Sequence, residues 1–319
     1  TSKSGLTVCT AVKNVLSKDG EMTSEVSGHQ TTTVIKTDIA ENETVTLVKY
    51  TIYSDSIRHE DCRADAAEAM ERALATPLEE HYVSQKAYLK RFWDQSALDI
   101  QGDDDLAIAT KYNIYQLLQS VGKDQYSNIA AKGLSGEGYE GHYFWDTEMY
   151  MQPFFTLTNP EISKSLVSYR YSTLEADREN ARILGHKKGA LYPWRTIMGK
   201  ECSGYFPSGS AQYHIDGDIA YSTIAYYLVT KDLDFMAEKG AEIIFETARL
   251  WMDTGNFYHG QFHINDVTGP DEYTCIVNNN YFTNASAQYN LHWAVKFYGM
   301  LKEAGKTEVI DKIGLTEDE

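Results

Sequence analysis

The chain has 319 residues, 42% of them hydrophobic, and a formal net charge of −17, so it can bury one large core or two ordinary ones. That acidity, with no long basic run, argues against nucleic acid, whose phosphates need Lys and Arg for neutralisation, and against an anionic membrane surface. No apolar stretch is long enough to span a bilayer and no signal pattern occupies residues 1–20, while the four cysteines (Cys9, Cys62, Cys202, Cys275) form no CxxC pair and read as reduced thiols of a cytoplasmic protein.

Residues 1–58 read as β. The segments "LTVCTAVKNVL", "HQTTTVIKTDI" and "ETVTLVKYTIYS" are rich in Thr and Val, and "SKDGE" and "AENE" break them as turns. They are too few for a whole sandwich, and the expectation is the last strands of a β-sandwich domain. Residues 59–100 switch to helix as a linker. Thr76-Pro77-Leu78-Glu79 predicts a helix start, with Thr as cap and Pro in the first helical position.

From 101 to 319 the pattern is helical. Helices are predicted near 105–120, 147–157, 160–184, 217–229, 232–253 and 284–304. Asn159-Pro160 opens the third and Gly185 closes it. Ile244, Ala248 and Trp251 share one face of the fifth. Long loops follow the first, third and fifth helices, and short turns follow the second and fourth. In antiparallel helices the long loops then gather on one face, and long loops in compact domains tend to be functional. Repeated hairpins of this kind predict an α/α barrel of six hairpins. Six helices are half of one, so the chain reads as truncated at both ends.

The third long loop contains "GPDEY", residues 269–273, which sets Asp271 and Glu272 behind a glycine and a proline. Alone it is a surface turn. On a face shared with two other unusual loops it reads instead as a device that presents a carboxyl group for proton exchange. There are 23 Tyr, 11 Phe and 5 Trp, and many of them fall in these loops among acids. Such surfaces stack on the apolar faces of sugar rings and hydrogen-bond their hydroxyls.

Together "AKGLSGEGYEGHYFWDTEMYMQPFF", "KGALYPWRTIMGKE", "AQYHIDGDIAY", "GAEIIFETARLWMD" and "VTGPDEYTCIVNNNYFTN" resemble glycoside hydrolase family 65. The resemblance covers roughly residues 40–305. It implies an N-terminal β-sandwich, a helical linker, an (α/α)6 barrel and a small C-terminal β part. The family holds inverting disaccharide phosphorylases and some trehalose hydrolases.

The resemblance assigns Glu272 as general acid. The chemistry agrees, because cleaving a glycosidic bond requires protonating the leaving oxygen. Phosphate is already a nucleophile, so a phosphorylase needs one such carboxyl, and Asp271 is expected to shape the turn. Trp145 and Asp146 match the part that recognises the transferred glucose. Asp146 also precedes a helix, a favoured cap position. Glu148 reads as a first-turn helix acid, with support of the neighbouring recognition residues as the alternative. Trp194 and Arg195 match the leaving-sugar region, where many relatives carry Trp-Glu. Asp216 lies at another acceptor-side position, and Arg195 and Asp216 could equally form a salt bridge. His214 reads as structural, and Asn278 stands where many relatives have Asp.

The expected activity is an inverting α-glucoside phosphorylase with phosphate as co-substrate and no cofactor or metal. The expected partners are a small disaccharide and phosphate, with a homodimer of the full-length enzyme compatible. The phosphate-binding residues of the family, and the base of its hydrolases, fall beyond residue 319. An inverting hydrolase of the same family, or a non-catalytic sugar-binding or assembly fragment, are the alternatives.

Overall fold

A computed structural model describes residues 5–28, 30–136 and 138–319. Residues 1–4 of the expected β region, His29 of its second segment and Glu137 of the first long loop lie outside these. The chain divides into two compact units, one up to Lys90 and the other Arg91–Glu319.

In the first unit, β1 (Val8–Leu16) pairs antiparallel with β4 (Leu47–Asp55), and β2 (Glu21–Ser27) with β3 (Gln30–Lys36). The alternating Thr and Val side chains leave much apolar surface in water, including Val8, Val26 and Tyr53. Helix α1 (Cys62–Ala75) packs on β1 and β4 and is capped by Asp61, whose carboxylate accepts from the Arg63 and Ala64 amides. Helix α2 (Leu78–Ser96) begins after Pro77 as expected. Thr76 is not its side-chain cap, however: its hydroxyl donates back to the Arg72 carbonyl at 3.0 Å and closes α1. Pro77, whose fixed φ suits a helix start, and Glu79 in the first turn are the parts of the signal that remain.

The second unit holds α3 (Asp104–Ser120), α4 (Gln152–Thr158) entered through a π turn Thr147–Met151, and α5 (Pro160–Ile183). Then come α6 (His214–Thr230), α7 (Leu233–Phe235) running through a second π turn Met236–Gly240 into α8 (Ala241–Thr254), α9 (Tyr281–Glu303) and α10 (Glu308–Lys312). The short hairpin β5 (Asn256–Tyr258) and β6 (Gln261–His263) follows α8. The six expected helices are all present. The end of α5 follows the glycine signal: Gly185 has φ +95°, its amide donates to Arg182, and the His186 amide donates to Ala181. That pattern satisfies the last carbonyls with a left-handed glycine just past the helix. Ile244, Ala248 and Trp251 are all buried, as their spacing predicted.

Helix α6 starts three residues earlier than expected. Its first residues follow Tyr213, and no Ser, Thr, Asp or Asn cap marks the boundary. The difference matters, because it places His214 and Asp216 on a rigid first turn instead of a loop. α6 is buried on most of its circumference and packs against α4, α5, α8 and α9. A helix with this all-round burial is an inner element of the core. Gly217 lets α9 approach it, since a Cβ there would collide with Ser286.

Candidate active site

Three long connections meet. Loop 1 (121–146) and loop 2 (184–213) exchange backbone hydrogen bonds, Tyr143 N–H to Thr196 O at 2.7 Å and Thr196 N–H to Tyr143 O at 3.1 Å. Loop 3 (255–280) joins loop 2 through the Thr268 amide, which donates to Ala211 O at 2.9 Å. Each loop leads into a helical stretch, and an aromatic ring stands at each junction: Trp145 at the end of loop 1, His214 and Phe282 in the first turns of α6 and α9. The rings touch in a row: Trp145 lies edge-on to His214 at 5.0 Å, and His214 edge-on to Phe282 at 5.6 Å. The row links the end of loop 1 to the first turns of α6 and α9.

Trp145 is partly buried and also faces Tyr150 at 5.6 Å. Asp146 has helical backbone angles and its side chain makes no capping hydrogen bond, so the expected cap role is not taken up. The carboxylate stays at the surface. Desolvation by its neighbours raises it above the ordinary carboxylate range and the Glu148 charge adds to this, against a hydrogen bond with its own backbone.

Glu148 takes the alternative of its two sequence readings. It is 1% exposed and forms a two-pronged ion pair with Arg170 of α5, at 2.7 and 2.9 Å. It is a buried support and not a solvated first-turn acid.

Trp194 packs edge-on to Phe144 at 5.3 Å and to Tyr205 at 6.3 Å. Its amide donates to Glu201 Oε2 at 2.8 Å, and the Ser203 amide donates to Glu201 Oε1 at 2.7 Å. Glu201 thus knots loop 2 behind Trp194. Burial raises its carboxyl above the ordinary range despite hydrogen bonds from four backbone amides, those of Ser203, Trp194, Arg195 and Cys202. Arg195 Nη2 donates to the Tyr139 carbonyl at 3.3 Å and pairs with Glu140 at 3.1 Å. No ion pair joins Arg195 to Asp216 among the described residues. Asp216 is 0% exposed and accepts from the Tyr192 amide at 2.9 Å. It lies beneath loop 2 and holds the backbone two residues ahead of Trp194. His214 is buried between Asp218, at 2.7 Å, and Gln212, at 3.2 Å, in the structural role its sequence suggested.

Glu272 stands at the exposed tip of loop 3, beside Tyr273, which is 99% exposed. The turn is built as expected: Asp271 Oδ1 accepts from the Tyr273 amide at 3.1 Å, and the Thr274 amide donates to Asp271 O at 2.9 Å. Asp271 is consumed by the turn, while the Glu272 carboxylate has no hydrogen-bond or ion-pair partner among the described residues. A two-way backbone bridge between Val267 and Val277 closes the base of this tip. Asn278 Oδ1 accepts from the Asp266 amide at 3.1 Å. An aspartate could take the same bond, which explains why either residue suits the position.

The structure therefore brings Trp145, Asp146, Trp194 and Arg195 onto joined loops, places Asp216 under them, and leaves Glu272 on the third loop. The sequence reading missed Arg170 and Glu201 as supports. No group of three or more metal-capable side chains assembles among the described residues, and none of their helices is long and apolar enough to cross a membrane.

The central catalytic domain model of glycosyl hydrolase family 65 matches residues 111–318, and the family's N-terminal domain model matches 1–92. The chain belongs to glycosyl hydrolase family 65. Within that family it is 52% identical over 294 residues to an α,α-trehalose phosphorylase of Geobacillus stearothermophilus, covering 90% of this chain and 38% of that protein. It is 43% identical to an α,α-trehalose phosphorylase of Thermoanaerobacter brockii, covering 100% and 42%. It is 36% identical to a kojibiose phosphorylase of Caldanaerobacter subterraneus subsp. tengcongensis, covering 89% and 38%. A solved structure provisionally named a kojibiose phosphorylase from the human microbiome superposes with a TM-score of 0.87 at 26% identity, over 99% of this chain and 42% of that one. The chain thus spans about two-fifths of the length of these family 65 relatives.

Proposed function

We propose that this chain carries the general acid and the sugar-binding loops of an inverting disaccharide phosphorylase that acts on α-glucosides. One observation supports this most directly: three long loops converge, with the glucose-recognition pair Trp145–Asp146 on the first and Glu272 on the third. Trp145 gives the transferred glucose an apolar wall, and Asp146 accepts its hydroxyl hydrogens. Phosphate attacks the anomeric carbon from the face opposite the leaving sugar. As the new C–O bond forms, the glycosidic C–O bond breaks and Glu272 gives its proton to the departing oxygen. The products are β-glucose 1-phosphate and a free sugar, and no cofactor takes part. Trp194 and Arg195 meet the leaving sugar, with Asp216 holding their loop from below. The helices form one side of an (α/α)6 barrel, and a cytoplasmic setting suits a product that stores bond energy as a sugar phosphate. Trehalose is the first substrate to examine, because the relatives at 52% and 43% identity carry that name.

The test uses the full-length protein with trehalose, and then kojibiose, in phosphate buffer. The expected result is equimolar loss of phosphate and gain of β-glucose 1-phosphate, read by the anomeric proton signal. Two free glucose molecules per trehalose with phosphate unchanged would establish hydrolysis instead.

A further inference from the structure

Trp145 and Asp146 sit in a short joint between loop 1 and the π turn, and π turns of this kind often mark functional sites. Such a joint does not fix two side chains by itself. Beneath it lies one buried cation. Arg170, 2% exposed, donates from Nε to Glu148 Oε1 at 2.7 Å and from Nη2 to Glu148 Oε2 at 2.9 Å and to the Phe144 carbonyl at 3.2 Å. Phe144 immediately precedes Trp145, and Glu148 follows Asp146 by two positions. A single guanidinium therefore grips the chain on both sides of the pair. The rings of Tyr169 and Tyr192 flank it at 5.7 and 5.8 Å, and the Tyr192 hydroxyl donates to the Arg170 carbonyl at 3.1 Å. That last bond reaches loop 2 just ahead of Trp194.

A buried ion pair is a weak way to gain stability, because desolvation offsets much of the attraction. It is a strong way to fix geometry, because the planar fork accepts few arrangements. Asp146 caps no helix and is an exposed residue, so the grip orients a group that a ligand can reach. We infer that Arg170 is a positioning residue of the glucose site: through Phe144 and Glu148 it holds Trp145 and Asp146 in register with the sugar. This rests on the function proposed above.

The test measures glucose affinity of the full-length protein by ligand-observed NMR, for wild type, Arg170→Lys, Asp146→Asn and the double variant. Lysine keeps the charge but cannot span Glu148 and the Phe144 carbonyl together. Small misplacements of a binding group cost up to about 100-fold, and R170K is expected to weaken glucose by at least roughly 10-fold with Asp146 present. In the D146N background the same change is expected to cost less than about 3-fold, because groups acting through one another are not additive. Equal effects in both backgrounds, or R170K binding like wild type, would overturn the inference. Should R170K fail to fold by circular dichroism, R170M/E148L replaces it. Removing both charges at similar volume is commonly tolerated, and the same two comparisons apply. A wild type that neither binds glucose nor consumes phosphate would overturn the proposed function and this inference with it. A wild type that does both, beside an unaffected R170K, would overturn the inference alone.

Discussion

Glu272 is a side chain whose carboxyl makes no contact that folding needs among the described residues, so Glu272→Gln separates chemistry from stability. Turnover is expected to fall by roughly 10²–10⁴-fold, with substrate affinity and the thermal midpoint unchanged; near-normal kinetics would remove Glu272 from the mechanism. The Glu140–Arg195 pair is exposed on the Glu140 side, where ion pairs contribute about 0–1 kcal/mol. Glu140→Ala should thus leave stability alone but free Arg195 to change the leaving sugars accepted. Synthesis from β-glucose 1-phosphate against a panel of acceptors tests this, and an unaltered panel would detach Arg195 from the acceptor side. Asp216 makes a pH prediction. Burial raises its carboxyl well above the ordinary 3.8, the Tyr192 amide opposes this, and the Asp177 and Asp218 charges add to it. The folded state then holds a proton that the unfolded chain has already released, so stability falls as pH climbs from the ordinary value through the folded one. Asp216→Asn removes that loss, and its midpoint should gain on wild type as pH rises above the ordinary 3.8. A constant difference would mean that Asp216 does not titrate as described. At this scale the sequence was legible where meaning is contiguous, as in the turn role of Asp271 beside Glu272. It left Glu148 between two roles, because the Arg170 that decides between them lies on another helix.

Helices were read well because each depends on neighbours in the chain. Apolar spacing, Asn159-Pro160 as a start and Gly185 as a stop are all local signals. The start of α6 and both π turns were not read, since tertiary packing decides them and no local residue announces them. Thr76 shows the same limit in reverse: its hydroxyl had two helix ends within reach and served the earlier one. The α6–α9 contact gives a prediction for this scale. Because a Cβ on Gly217 meets Ser286, Gly217→Ala should cost about 1–3 kcal/mol by overpacking, read as a lower urea midpoint of the full-length protein. An unchanged midpoint would mean that the two helices have room to part.

The alternation of long and short connections carried the reading of the whole, because it predicted which loops would meet before any contact was known. What it could not convey is how much apolar surface the second unit leaves uncovered. A groove of 690 Å³ runs along α8, β5, β6 and α9, lined by Met252, Phe257, Phe262, Tyr281, Leu291 and Val295. Residues 1–319 produced alone are expected to self-associate in sedimentation velocity and to show no phosphorolysis, because open apolar faces of this size drive association. A monomeric and active product would contradict both the proposed architecture and the assignment of the site. The row of rings from Trp145 through His214 to Phe282 also sets a timetable. These residues leave the ribosome in that order, and at roughly 5–20 residues per second Phe282 emerges on the order of ten seconds after Trp145. During translation the row therefore stays incomplete until the last ring docks, and a nascent chain halted before α9 would lack the Phe282 end of it.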